Sequence, residues 1–145
     1  MARGLRLCDA ARMKALVILA TLALAAPARA ETPMSGAEFD SYSRGKTFYY
    51  GESGQAYGVE RYLDNRRVVW SFLDGDCADG HWYELGSMIC FEYEADPDPG
   101  PQCWTFYKGT DGLVAHFEGD PSQTTLYQVQ DASEPMICLG PKVGV

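Results

Sequence analysis

From Lys46 onward, apolar and polar positions alternate with a period of two, and turn-forming residues interrupt the alternation every ten or so positions. That pattern predicts an antiparallel meander of seven or eight strands, at roughly 46–50, 55–63, 66–73, 80–85, 88–94, 102–108, 113–118 and 124–130. Between the strands stand groups such as Asp64-Asn65, Asp74-Gly75, Gly86-Ser87 and Gly109-Thr110-Asp111-Gly112. Their residues tolerate a positive φ or favour tight turns. Before the alternation begins, Ser35-Gly36-Ala37-Glu38 has the form of a capping box, predicting a short helix from about Gly36 to Arg44 that Gly45 stops. Its apolar stripe is modest, which suits a plug or lid.

Pairing arithmetic tests the strands against one another. A two-residue turn at Asp64-Asn65 sets Val59 opposite Trp70 and Tyr57 opposite Phe72, with Glu60 and Arg67 on the other face. A tight turn at Gly109–Gly112 sets Phe106 opposite Ala115 and Trp104 opposite Phe117. The expected core therefore includes Val59, Trp70, Phe72, Trp82, Ile89 and Phe91, together with Trp104, Phe106, Leu113 and Phe117. A lone flat sheet would leave such an aromatic face in water. The fold expected is mainly β: a meander closing into a small barrel or strongly curved sheet, covered by the one short N-terminal helix.

Composition narrows the setting. The first 30 of the 145 residues read as a secretory signal, with a basic segment through Lys14, an apolar run of 12 residues from Ala15 to Ala26, and Ala28-Arg29-Ala30 as the cleavage site. That run falls short of the roughly 20 residues needed to span a bilayer. The expected organisation is a signal peptide, 1–30, and one disulfide-bonded β-domain, 31–145, free of a membrane anchor and bound for the periplasm or the extracellular medium. Residues 31–145 carry 7 Lys/Arg against 19 Asp/Glu, a net charge of -12, and all 18 aromatic residues. So acidic a chain repels phosphate backbones and anionic lipid, which argues against nucleic acid as a partner.

Cleavage at Ala30 discards Cys8 and leaves four cysteines: Cys77, Cys90, Cys103 and Cys138. Spacings of 12, 12 and 34 intervening residues contain no C-x-x-C zinc knuckle, so two disulfides are expected rather than a metal site. Cys90 and Cys103 share outward parity across a Pro-rich turn and could form a cross-strand bridge, leaving Cys77 and Cys138 to tether the C-terminal tail. Pairing of Cys77 with Cys90 is a rival, and four cysteines allow three connectivities.

Candidate chemistry is sparse. Asp74-Gly75-Asp76-Cys77-Ala78-Asp79-Gly80 opens like a calcium loop, but Ala78 and Asp79 stand where that loop needs a ligand and a glycine. Glu92, Glu94, Asp96 and Asp98 read as solvated carboxylates. His81 and His116 are the only imidazoles and have outward parity; no G-x-S-x-G elbow offers them a nucleophile. No catalytic residue, metal site or cofactor is assigned.

The aromatic residues are the most informative group. Trp70, Phe72, Trp82, Phe91, Trp104 and Phe106 either pack as core or, in a barrel that does not fill itself, line a pocket for an apolar ligand. Phe48, Tyr49, Tyr50, Tyr57 and Tyr62 form a second cluster that could place tyrosines on the surface for a protein partner.

The segments Ser35-Gly36-Ala37-Glu38-Phe39, Gly45-Lys46-Thr47, Gly80-His81-Trp82-Tyr83, Ile89-Cys90-Phe91 and Gln102-Cys103-Trp104 together resemble a family of small exported alphaproteobacterial proteins of unknown function. The resemblance implies export and the β fold and carries over no active site. A fainter architectural similarity, without shared motifs, is to lipocalin-like small barrels and periplasmic protease inhibitors. The reading that follows is a non-enzymatic binding or interaction module for a protein or a small apolar ligand. A structural envelope protein and an enzyme acting on envelope polymers are the alternatives.

Overall fold

The computed structural model describes residues 31–94, 100–119, 121–122, 124–130, 132 and 134–139. The expected signal segment, and Asp96 and Asp98 of the acidic run, lie outside the described residues. Ser35 caps helix α1 (Gly36–Ser43) with the expected reciprocal geometry: its hydroxyl accepts from the Glu38 backbone N–H, and the Glu38 carboxylate accepts from the Ser35 N–H at 2.8 Å. A second carboxylate, Glu84 of the barrel wall, accepts from the Gly36 N–H at 2.7 Å and so joins the positive end of the helix to the sheet. Gly45, at φ 74°, lets the chain leave the helix and turn into the first strand.

Eight strands follow: β1 (Thr47–Glu52), β2 (Gln55–Tyr62), β3 (Arg67–Ser71), β4 (Ala78–Leu85), β5 (Met88–Tyr93), β6 (Gln102–Gly109), β7 (Gly112–Phe117) and β8 (Thr125–Val129). Each pairs antiparallel with the next, and β8 returns to β1 through Tyr49–Val129, Tyr50–Gln128 and Gly51–Tyr127, closing an up-and-down barrel. Closure satisfies the edge strands that an open sheet of this composition would expose.

Register between β6 and β7 is the expected one, with Phe106 opposite Ala115 and Trp104 opposite Phe117. Cys90 and Cys103 face each other on β5 and β6 and are bridged. Cys77 is bridged to Cys138, which fastens the C-terminal tail beside the β3–β4 loop, where the Leu139 N–H also donates to the Gly75 carbonyl. Two disulfides place the folded chain in an oxidising, non-cytoplasmic compartment. No helix among the described residues is long and apolar enough to cross a membrane.

Two expectations are corrected. The β2–β3 connection has three residues, Asp64–Arg66, with Asn65 and Arg66 both in the left-handed region at φ 58° and 59°. Leu63 therefore bonds to Arg67, and the register becomes Glu60–Trp70 and Val59–Ser71. Because strand side chains alternate, this one-residue shift reverses the faces: Glu60 points into the barrel beside Trp70, and Val59, although fully buried, lies outside the interior cluster. The second correction concerns the tyrosine cluster. Phe48, Tyr50 and Tyr62 share inward parity and are buried, the phenols of Tyr50 and Tyr62 lying 2.8 Å apart; Tyr57 alone among the five is exposed.

Candidate cavity and its buried carboxylate

The two ends of the barrel are built differently. At the end where α1 sits, Phe39 enters the interior and meets Tyr62, Trp82 and Phe106 at ring-centroid distances of 5.5, 5.1 and 4.5 Å. Phe48, Val68, Ile89 and Leu113 complete that half, and the Arg66 guanidinium lies over the Trp82 ring, 4.6 Å from its centroid. Burying a phenylalanine side chain as fully as Phe39 contributes about 1.5–3 kcal/mol, and its edge-on contacts add to that.

Toward the other end the inward positions include four small residues, Gly58, Ala78, Gly80 and Ala115, among larger ones. The Trp70 ring packs against the bare backbone of Gly58, where a Cβ would lie 2.2 Å from it, and at Gly80 a Cβ would lie 2.4 Å from the Glu92 carbonyl oxygen and 2.8 Å from the Tyr93 ring. In this half lies a cavity of about 350 Å³, walled by Trp70, Phe91, Trp104 and Phe106 and reaching the surface at Tyr57 and Phe72, which are 42% and 60% exposed. Its size is in the range that takes a small organic molecule.

Glu60 is the single carboxylate among the described residues lining this cavity, and it is 3% exposed. Its Oε2 accepts from the Tyr93 hydroxyl at 2.8 Å, while Oε1 has no partner. Burial pushes the Glu60 carboxyl up to about 8, against the smaller opposing effect of the Tyr93 hydrogen bond. Burial likewise drives the phenols of Tyr50, Tyr62 and Tyr93 upward, so they serve as neutral donors and acceptors.

Of the residues expected to line a pocket, Trp70, Phe72, Phe91, Trp104 and Phe106 do so, whereas Trp82 packs under Phe39 as core. Glu60 is the functional candidate that sequence reasoning missed. The signal that could have found it is Gly58 two positions earlier, an inward glycine that makes sense only if a large ring lies across it. His81 and His116 are not brought together: His81 on β4 approaches Glu92 at 3.5 Å, and His116 on β7 is hydrogen-bonded to Thr125 at 2.8 Å. Asp74 closes a local turn by accepting from the Asp76 N–H.

These features define an eight-stranded up-and-down β-barrel, plugged at one end by a helix and hollow toward the other. Comparison with protein-family models, with curated proteins and with solved structures found no match.

Proposed function

We propose that this protein is a non-enzymatic binding protein of the periplasm or extracellular medium that holds a small, largely apolar ligand inside its barrel. The observation that carries this reading is the aromatic cavity of about 350 Å³, with only alanine side chains at two of its wall positions, Ala78 and Ala115. An ordinary core of this size would be filled, because each unfilled methyl-sized void costs about 1 kcal/mol. The resemblance to small exported proteins and the acidic surface support the same setting.

Native mass spectrometry of the mature protein isolated from the periplasm, combined with titration of the neutral fluorophore N-phenyl-1-naphthylamine, tests the reading. A nonprotein adduct lost on denaturation, or saturable one-to-one uptake that quenches tryptophan fluorescence, is the expected result. Ala115→Phe, which fills the cavity from one wall, should remove that binding while leaving the folded β spectrum. A clean protein mass together with no saturable uptake would overturn the proposal.

A further inference from the structure

The geometry points to an organic ammonium group as the polar end of the ligand, anchored on Oε1 of Glu60 among the aromatic rings of the cavity. This inference rests on the small-ligand reading above and specifies it.

Three observations converge. First, Oε1 is a buried carboxylate oxygen without a partner, in a chain where the other oxygen of the same group is well bonded. An unpaired buried carboxyl oxygen costs desolvation energy, which a donor from outside the chain would offset. Secondly, the described residues lining the cavity include no lysine, arginine or histidine, so the chain supplies no cation of its own. The groups facing Glu60 are the phenols of Tyr50 on β1, Tyr62 on β2 and Tyr93 on β5, with the Trp70 indole on β3, all of them uncharged. Thirdly, the wall is rich in tryptophan, tyrosine and phenylalanine rings, the residues whose π-systems attract a desolvated cation. A net charge of -12 over residues 31–145 also draws cations toward the protein. A metal ion does not fit the same place, since Glu60 is the sole carboxylate there among the described residues and hard cations require several oxygen ligands.

Binding of an ammonium ligand has a proton balance. The empty site holds a proton on Glu60 at neutral pH, because burial pushes that carboxyl up to about 8. When the ammonium arrives, the carboxyl O–H bond breaks, the proton passes to solvent and the ammonium N–H donates to the carboxylate.

The test uses three probes of one shape: 1-naphthylmethylamine, 1-naphthylmethanol and 1-naphthoate, titrated against the mature protein by tryptophan quenching at about pH 7, where the amine is cationic and the acid anionic. The amine should bind about 10- to 100-fold more tightly than the alcohol, and the anion most weakly, as expected for one charge-assisted hydrogen bond. Glu60→Gln should erase the preference for the amine while keeping affinity for the alcohol. Calorimetry of the unaltered protein in two buffers of different ionisation enthalpy, at about pH 6, should show release of close to one proton per amine bound. Equal binding of amine and alcohol, tighter binding of the anion, or a preference that survives Glu60→Gln would overturn the ammonium assignment alone. If none of the three probes binds and the native mass and the neutral fluorophore also show no uptake, the small-ligand reading falls with it.

Discussion

The helix-plugged half of the barrel and the hollow half are made from the same eight strands with the same inward–outward alternation, yet one is solid and the other is not. The difference lies in side-chain size and in one residue supplied from outside the sheet. In the plugged half, inward positions carry Phe48, Tyr62, Val68, Trp82, Ile89 and Leu113, and Phe39 fills what remains at the axis. In the hollow half, Gly58 lets the Trp70 ring pack against bare backbone, and Ala78 and Ala115 add only methyl groups to a wall otherwise made largely of aromatic rings. The lesson is that a small barrel has an interior just wide enough to be a core or a container, and a few inward positions decide which.

The largest expected effect separates the halves by charge. Glu60, in the hollow half, sits near pKa 8 when folded against an ordinary 4.5, so between those values the folded chain holds a proton that the unfolded chain has released. This contribution to stability is present in full below about 4.5 and is lost as pH rises through 8, by on the order of 5 kcal/mol. Denaturant unfolding of the wild type and Glu60→Gln across that range should show the variant gaining on the wild type as pH rises. Parallel curves would show that the carboxyl is solvated.

Next comes the plug. Phe39→Ala should cost about 3–5 kcal/mol in chemical denaturation, because the surrounding rings belong to four separate strands and cannot collapse together to fill the void. Gly58→Ala should cost about 1–3 kcal/mol and shift the tryptophan emission, since the new methyl group displaces the Trp70 ring. At the bottom of the scale, Phe72→Ala at the mouth should change stability by no more than about 0.5 kcal/mol while weakening uptake of an apolar probe. If Phe39→Ala and Phe72→Ala proved equally costly, the contrast between a solid half and a hollow half would fail.

Much of this architecture is legible in the amino-acid sequence, and the reasons are local. Ser35 and Glu38 announce the helix because a capping box is a contiguous pattern. Gly109–Gly112 sets the β6–β7 register because its turn is short and rich in residues made for turning. Shared parity makes Cys90–Cys103 a candidate bridge, but the choice between it and Cys77–Cys90 comes only with the structure. The β2–β3 register was hidden because Arg66 adopts a left-handed conformation that nothing in its chemistry advertises, so the loop is one residue longer than Asp64-Asn65 implies. That single residue carried Glu60 from the solvent face to the interior, and with it the chemistry of the cavity. The tyrosines were misplaced for a related reason. Tyrosine is amphipathic, and whether its hydroxyl meets water or a second phenol, as in Tyr50 and Tyr62, depends on barrel closure rather than on any neighbour in sequence.

The plug also sets a timetable. Helix α1 precedes every strand it closes, and the rings that receive Phe39 belong to Tyr62, Trp82, Phe91 and Phe106, the last of them 67 positions further along the chain. Wherever the chain emerges N-terminus first, the helix has no socket to occupy until β6 has followed it. The ring itself closes only when β8 reaches β1, joining Tyr49 to Val129. Such non-local closure makes for slow folding, and throughout the delay Phe39 is an apolar side chain on a short helix near the start of the β-domain, the kind of handle by which a holdase grips a chain in transit.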